Sequence, residues 1–180
     1  MITQLSAKNF KSWKDTGEVR MAPLTAFFGT NSSGKTALLQ VLLLLKQTVE
    51  SADRSRVLHT GDDRTYVDVG TFQDIVFDHR SPGQITLSVG WDCPEPLSIK
   101  DPENPKQELF KVKDLRLEIS IEGTADSIAV REFAYHFDGN TFGMTRRAET
   151  DEYDLVAEIA KQGYQLRRSQ LIALFGYLSY

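Results

Sequence analysis

Cysteine is nearly absent from this sequence, and histidine is scarce. The 180 residues include a single cysteine, Cys93, and three histidines. One cysteine excludes a disulfide within the chain and is typical of a reducing compartment. The histidines show no metal-ligand spacing with one another or with Cys93, which argues against zinc. We therefore expect neither a disulfide scaffold nor a zinc domain.

Long apolar runs and a strong net charge are missing as well. The most apolar stretch, residues 37–45, is much shorter than the ~20 residues that a membrane helix needs. The opening residues lack the basic-then-apolar pattern of a signal peptide. A net charge of −4 gives no general attraction to nucleic acid. These features predict a cytoplasmic protein without a membrane partner.

What the sequence does contain is a glycine-rich motif at residues 29–36. The motif matches G-x-x-x-x-G-K-[ST], the pattern of a phosphate-binding loop. The apolar segment Leu24–Phe28 before it predicts a buried strand, and the Leu-rich run after it predicts a helix from about Gly34 to Ser51, buried on most sides. Strand, loop and helix in this order are the context that the motif requires. The motif therefore predicts binding of a nucleoside triphosphate.

Each residue type in the motif has a physical role. Gly29 and Gly34 allow turns in which successive N–H groups point at phosphate oxygens. The start of the helix adds free N–H donors and the positive end of its dipole. Lys35 supplies a charge for the β- and γ-phosphates, and the Thr36 hydroxyl is a ligand for Mg²⁺. The predicted nucleotide-binding residues of the motif are Gly29, Thr30, Asn31, Ser32, Ser33, Gly34, Lys35 and Thr36.

The remainder of the chain reads mainly as antiparallel strands. Apolar and polar residues alternate in residues 84–91 and 115–121, and Asp138-Gly139-Asn140 is typical of a hairpin turn. Four of the six prolines fall in residues 92–108, which predicts a long loop. We expect an α/β protein with a strand–P-loop–helix core and a large antiparallel β part. The expected organisation is one domain over residues 1–180.

The N-terminal residues resemble a known family. Residues 9–13, Asn-Phe-Lys-Ser-Trp, followed by the loop at residues 29–36, are similar to the N-terminal lobe of ABC-type ATPase heads. The similarity is greatest to the SMC, RecF and OLD-like branch. Residues 67–77 also resemble segments of stand-alone bacterial AAA-type ATPases of that branch. The resemblance covers roughly the first 80 residues.

This resemblance implies further site residues. Lys11 and Ser12 fall where such heads contact the nucleotide, although a solvated turn is the alternative interpretation. Gln73 corresponds to a glutamine that binds Mg²⁺ and the attacking water, although an exposed glutamine at the end of a strand explains it equally well. The implied cofactors are ATP and Mg²⁺.

Three parts of a complete head have no counterpart in the sequence. An ATPase head needs an apolar strand ending in Asp-Glu, and the nearest match, Ile75–Asp78, is followed by His79. A signature sequence of the LSGG type and a switch histidine are also missing. In the resembling families these parts belong to a C-terminal lobe. We therefore expect that this chain is an N-terminal lobe without a catalytic residue, and that it is inactive alone.

The resemblance also implies how such a lobe works. Two heads enclose two ATP molecules, so that we expect a homodimer or oligomer whose conformation follows the nucleotide state. In this branch the attached machinery serves DNA repair, recombination or anti-phage defence, with DNA or an effector nuclease as partner. One alternative is a non-catalytic sensing or scaffold subunit that a partner chain completes. Another is a small nucleotide kinase or GTPase, which the missing N-K-x-D motif and the many strands disfavour.

Overall fold

A computed structural model describes residues 1–53, 55–100, 104, 106–148, 150 and 152–159. The uncertain tail prediction, helical or extended from Arg168 onward, lies outside these residues. The strands are β1 (Ile2–Phe10), β2 (Trp13–Asp15), β3 (Val19–Arg20), β4 (Gly83–Lys100), β5 (Glu108–Gly123), β6 (Ile128–Phe137), β7 (Asn140–Arg146) and β8 (Tyr153–Glu158). The helices are α1 (Lys35–Glu50) and α2 (Phe72–Ile75), followed by one 3₁₀ turn at Phe77–His79.

The strands of the described residues form one hydrogen-bonded series. Their order is β2-β1-β4-β5-β6-β7-β8, and β3 also pairs with β1. The β1–β2, β1–β3, β6–β7 and β7–β8 pairs are antiparallel. The predicted hairpin turn is confirmed, because Asp138 and Gly139 have φ angles of 47° and 75° and connect β6 to β7. Positive φ at both central residues gives the turn the twist that hairpins favour.

Two compact units can be distinguished along the chain. One comprises Gln4–Ser88 and Ile119–Arg131 and contains both helices and the glycine-rich loop. The other comprises Met1–Thr3, Val89–Glu118 and residues from Glu132 onward. The core of this second unit is aromatic and aliphatic, and its buried members are Ile99, Val112, Leu115, Tyr135, Phe137 and Phe142.

Helix α1 confirms the predicted helix closely. Its flanking residues are Gly34 and Ser51, which are also the predicted ends. The expectation of burial on most sides was wrong, because only one face is covered. That face buries Ala37, Leu38, Val41, Leu44 and Gln47. The opposite face leaves Leu39 47% and Val49 71% exposed, so that a second apolar stripe of the helix has no cover within the described residues.

A buried amide fixes the far end of α1. Gln47 is 3% exposed, and its Nε2 donates to the carbonyl oxygens of His59 and Val67 at 2.5 and 3.1 Å. Its Oε1 accepts from the N–H of Val67 at 3.2 Å. These bonds satisfy the buried amide and hold the segment after α1 against the helix.

The predicted strand before the glycine-rich loop does not form. Residues 21–28 are irregular, and Leu24 and Phe28 are 89% and 92% exposed. No backbone hydrogen bond to Leu24–Phe28 is present in the part of the chain that the structure describes. A strand needs a neighbouring strand for its N–H and C=O groups. The prediction of a buried strand was wrong because the segment has no such neighbour here.

The predicted proline-rich loop is also wrong in its first half, because β4 continues to Lys100. The N–H of Asp92 donates to the Met1 carbonyl at 2.8 Å. Alternate residues of a strand point their N–H groups to the same side, so Pro94 and Pro96 face the side that Asp92 faces. Because β1 begins at Ile2, that side of β4 has no neighbour beyond Asp92 within the described ranges. Prolines are tolerated in a strand at such an edge.

The α/β prediction is therefore only partly confirmed. Antiparallel pairing dominates, and helix is confined to α1 and the short α2 over the described ranges. Within the same ranges, neither helix combines the length and the apolar character needed to cross a membrane.

Candidate functional site

The glycine-rich loop ends in a left-handed turn at the start of α1. Ser32 and Gly34 have φ angles of 60° and 82°, and Gly34 is the residue that caps the helix. No side chain caps this end, and the first turn contains no acidic residue. The first N–H groups of a helix have no partner inside it. This end of α1 is therefore suited to an anion, and local carboxylates do not compete for the site.

The Lys35 side chain is held by the loop that it follows. Its Nζ donates to the carbonyl oxygens of Gly29 and Thr30 at 2.9 and 2.6 Å, and the Ser33 Oγ lies 3.5 Å away. These contacts place the ammonium group over the loop. A lysine in this position acts as a mobile point charge toward phosphate oxygens.

Trp13, on β2, contacts the turn at Gly34 between the glycine-rich loop and α1. Trp13 Nε1 donates to the Gly34 carbonyl at 3.0 Å. A Cβ at Gly34 would lie 2.5 Å from this nitrogen. Glycine is therefore required at residue 34 for two reasons, the left-handed φ and the contact with the indole.

A pocket of about 280 Å³ opens beside the loop. Its walls include Lys11 and Ser12 from the turn between β1 and β2, together with Gln40 from α1. The remaining lining residues are Ser32, Ser33, Gly34, Lys35, Thr36 and Ala37. Among the described residues, no carboxylate lines the pocket. The structure thus brings Lys11 and Ser12 to the glycine-rich loop. Their contact with a nucleotide stays a prediction.

Gln40 is a lining residue that the sequence analysis missed. It lies four residues after Thr36, and residues four apart share a helix face. That spacing was available in the sequence and could have identified it. The amide of Gln40 adds a donor and an acceptor to the pocket wall.

Lys11 is positioned by its backbone. Its φ is 49°, in the left-handed region, and its N–H donates to the Ile75 carbonyl at 2.7 Å. Burial lowers the pKa of the Lys11 ammonium, and the nearby Asp74 carboxylate opposes part of this shift. A partly buried cation that lacks a full counter-charge favours an anion in the pocket that it lines.

Gln73 is not brought into this pocket. It lies in α2, and its Nε2 donates to the His79 carbonyl at 2.9 Å. The ring Nδ1 of His79 lies 3.2 Å from the Gln73 carbonyl. The two residues therefore bind each other, and the metal role of Gln73 stays a prediction.

The pocket residues fit a nucleotide with Mg²⁺. The loop offers N–H groups and the Lys35 ammonium for phosphates, and Thr36 offers one hydroxyl oxygen for a metal ion. Mg²⁺ commonly takes few protein ligands and completes its shell with phosphate oxygens and water. Among the described residues, no group of three or more His, Cys, Asp or Glu side chains could hold a metal by itself. A metal in this pocket would thus depend on the bound nucleotide.

Comparison with known families gives the class of the protein. The model of the AAA ATPase domain family matches residues 1–164 of the 180. The chain belongs to this family. Membership supports nucleotide binding and ATPase activity in general, and implies ATP, usually with Mg²⁺. A search of curated proteins finds no match for the chain.

Proposed function

We propose that the chain binds Mg-ATP through this pocket. The observation that carries the proposal is the joining of Lys11 and Ser12 to the glycine-rich loop in one pocket. The backbone N–H groups of residues 29–36 bind phosphate oxygens, the Lys35 ammonium binds the β- and γ-phosphates, and Thr36 binds Mg²⁺. Lys11 and Ser12 bind the nucleotide from the opposite wall. The bound Mg²⁺ supplies neutralisation of phosphate charge.

Hydrolysis in this proposal needs groups from outside the described residues. The pocket has no carboxylate to hold Mg²⁺ and orient the attacking water. We propose that residues 1–180 form the N-terminal lobe of an ABC/SMC-like head. A C-terminal lobe would then supply the Asp-Glu pair, and a second head would supply the signature segment. Gln73 joins the metal site only if α2 moves when the head is complete.

The unpaired segment before the loop supports a missing lobe. Within the described residues, the backbone groups of Leu24–Phe28 make no hydrogen bonds, and the side chains of this segment alternate between exposed and half-buried. The exposed stripe of α1, with Leu39 and Val49, lies in the same unit. Strand partners for this segment and an apolar cover for the stripe are what a second lobe would provide.

The wider role follows from this proposal by analogy with the resembling branch. ATP binding engages two heads, and the change in head contacts switches an attached effector. DNA repair, recombination and anti-phage defence are the proposed settings, with DNA or a nuclease as partner. Because no carboxylate of the described residues lines the pocket, a nucleotide-sensing or scaffold subunit completed by a separate chain is the second candidate.

Calorimetry with Mg-ATP tests the binding proposal. We expect binding by the wild-type chain and a loss of about 30- to 100-fold in Lys35→Ala, since a hydrogen-bonded charge is removed from the phosphates. Lys14→Ala is the matched control, because Lys14 is an exposed lysine of β2 outside the pocket. Equal affinity in Lys35→Ala and wild type would reject the proposal.

Turnover by the chain alone tests the incomplete-site proposal. We expect Mg-ATP hydrolysis no faster than that of Lys35→Ala, since no carboxylate lines the pocket. Turnover that depends on Lys35 would show that the catalytic acid is already present. Gel filtration with ATP, with and without a separate C-terminal-lobe protein, then tests the second candidate. That candidate predicts that the elution volume of the chain changes only when the partner protein is present.

A further inference from the structure

The indole of Trp13 touches the glycine-rich loop without lining the pocket. On β2, Trp13 is paired across the strands with Phe10, which is fully buried. Its Nε1 donates to the Gly34 carbonyl at 3.0 Å. The pocket walls do not include Trp13. Any effect of this side chain on a ligand must therefore be indirect, through the pocket residues that it positions.

The fit between the indole and Gly34 is close along one edge of the ring. A Cβ at residue 34 would lie 2.5 Å from Trp13 Nε1, 3.1 Å from Cε2 and 3.2 Å from Cδ1. The five-membered ring thus lies against the glycine Cα. This contact leaves little freedom for Gly34 to rotate away from its left-handed conformation.

The hydrogen bond also sets the direction of a donor in the pocket. The Gly34 carbonyl and the Lys35 N–H belong to one planar trans peptide, so they point in opposite directions. Because the Gly34 carbonyl points toward Trp13 Nε1, the Lys35 N–H of the same peptide points away from the indole. The same carbonyl accepts the N–H of Ala37 at 3.1 Å, which closes the first turn of α1. Trp13 thereby orients the start of the helix.

We propose that Trp13 is a positioning residue for the phosphate-binding turn. It orients the Gly34–Lys35 peptide so that its N–H meets a phosphate oxygen, and it joins the β1–β2 hairpin to the loop. Lys11 and Ser12, in the turn of that hairpin, are thereby held at a fixed distance from the loop. This inference rests on the proposed binding of Mg-ATP at the same site.

The first arm of the test compares the two tryptophans of the chain. Trp13→Phe keeps an aromatic ring and removes the N–H donor. Trp91→Phe is the matched control, because Trp91 lies in β4 and packs on the aromatic core of the other unit. Calorimetry with Mg-ATP should show about tenfold weaker binding for Trp13→Phe, as removal of one hydrogen bond from a site predicts. Trp91→Phe should bind as wild type does.

The second arm keeps Trp13 in place and uses its fluorescence. In Trp91→Phe, Trp13 is the single tryptophan, and Mg-ATP should change its emission because the loop that it touches becomes occupied. The change should disappear in Trp91→Phe/Lys35→Ala. In Trp13→Phe, where Trp91 alone remains, emission should not respond. This signal shows that occupancy of the loop reaches the indole, and the affinity of Trp13→Phe shows whether the indole positions the turn.

The outcomes separate the two proposals. Absence of Mg-ATP binding to the wild-type chain would reject the proposed function. Binding to wild type, with Trp13→Phe within twofold of it, would overturn the positioning role alone. A silent Trp13 emission in Trp91→Phe, while calorimetry shows Mg-ATP binding, would overturn it as well. Circular dichroism and thermal unfolding of each variant confirm that folded protein is compared.

Discussion

Residues 21–28 lead into the glycine-rich loop and residues 35–50 lead out of it, and both segments are rich in apolar side chains. In α1, Val41 and Leu44 are fully buried. In the preceding segment, Leu24 and Phe28 are about nine-tenths exposed. A helix satisfies its backbone within its own sequence, whereas a strand depends on a partner elsewhere. The difference shows which half of the motif is folded by local interactions and which half requires a neighbour.

The largest expected effect concerns the packed face of α1. Leu44→Ala should lower the free energy of unfolding by about 3–5 kcal/mol, because it leaves a cavity beneath the helix. Leu39→Ala, on the exposed stripe, should cost less than about 1 kcal/mol. Urea unfolding followed by circular dichroism measures both. Similar losses at the two positions would contradict the assignment of one buried and one uncovered face.

The junction of loop and helix comes next. Gly34→Ala should cost about 2–4 kcal/mol, since it adds left-handed strain and a clash with Trp13. Gly17→Ala is the control, because Gly17 has a φ of 60° and no atom within 4 Å of an added Cβ. Gly17→Ala should lower the free energy of unfolding by about 1–2 kcal/mol, from the left-handed strain alone. An equal loss in both variants would mean that contact with the indole is unimportant for folding.

A smaller effect concerns α2, whose end receives the Lys11 N–H. The Thr71 hydroxyl, followed by the Thr71 N–H, lowers the pKa of the Asp74 carboxyl. A lowered pKa in the folded state gives stability that is present above the unfolded pKa, near 3.9, and is lost as pH falls through the folded value. Thr71→Val should therefore lower the melting temperature slightly at pH 7.

That difference should begin to shrink below about pH 4 and should disappear once the pH falls below the lowered pKa of Asp74 in folded wild type, where the carboxyl is protonated in both proteins. Melting temperatures of Thr71→Val and wild type, measured from pH 7 to pH 2.5, test this. A difference that stays constant over the whole range would assign the loss to packing of the threonine rather than to its bond with Asp74.

The smallest expected effect returns to the unpaired segment. Phe28→Ser should change the free energy of unfolding of this chain by no more than about 0.5 kcal/mol, because the ring is 92% exposed. The same variant should weaken association with the proposed C-terminal lobe, measured by gel filtration. A large loss of stability in the chain alone would mean that the ring is packed, and the contrast between the two segments would fail.

The part of the fold that the sequence predicted is the part specified by local interactions. The bounds of α1, the loop turn at Gly34 and the hairpin at Gly139 all follow from residues adjacent in sequence. The prediction for Leu24–Phe28 failed because its outcome depends on strands that are distant or absent. The prediction of a loop at Pro94 failed because a strand tolerates a proline on the side that has no neighbouring strand, and the sequence does not show which side of β4 that is.

Prediction of the site shows the same division. The glycine-rich loop was predicted from its spacing alone, and Lys11 and Ser12 were predicted by resemblance; the structure places Lys11 and Ser12 in one pocket with the loop, and their contact with a nucleotide stays a prediction. Gln40 could have been found from its helical spacing to the loop. The contact of Trp13 with Gly34 could not, because a hydrogen bond between residues 21 apart in sequence has no local signature.

The two prolines of β4 have a consequence for the behaviour of the protein in a concentrated solution. An unpaired strand edge can form hydrogen bonds with a strand of another chain, and such pairing is a common first step of aggregation. Pro94 and Pro96 have no N–H group on the side of β4 that lacks a neighbour. A strand from another chain could therefore not form the complete set of hydrogen bonds with this edge. Leu24–Phe28 has no such protection. Overexpression of this chain without its proposed second lobe should therefore give inclusion bodies, and a hydrophilic substitution at Phe28 should increase the soluble yield.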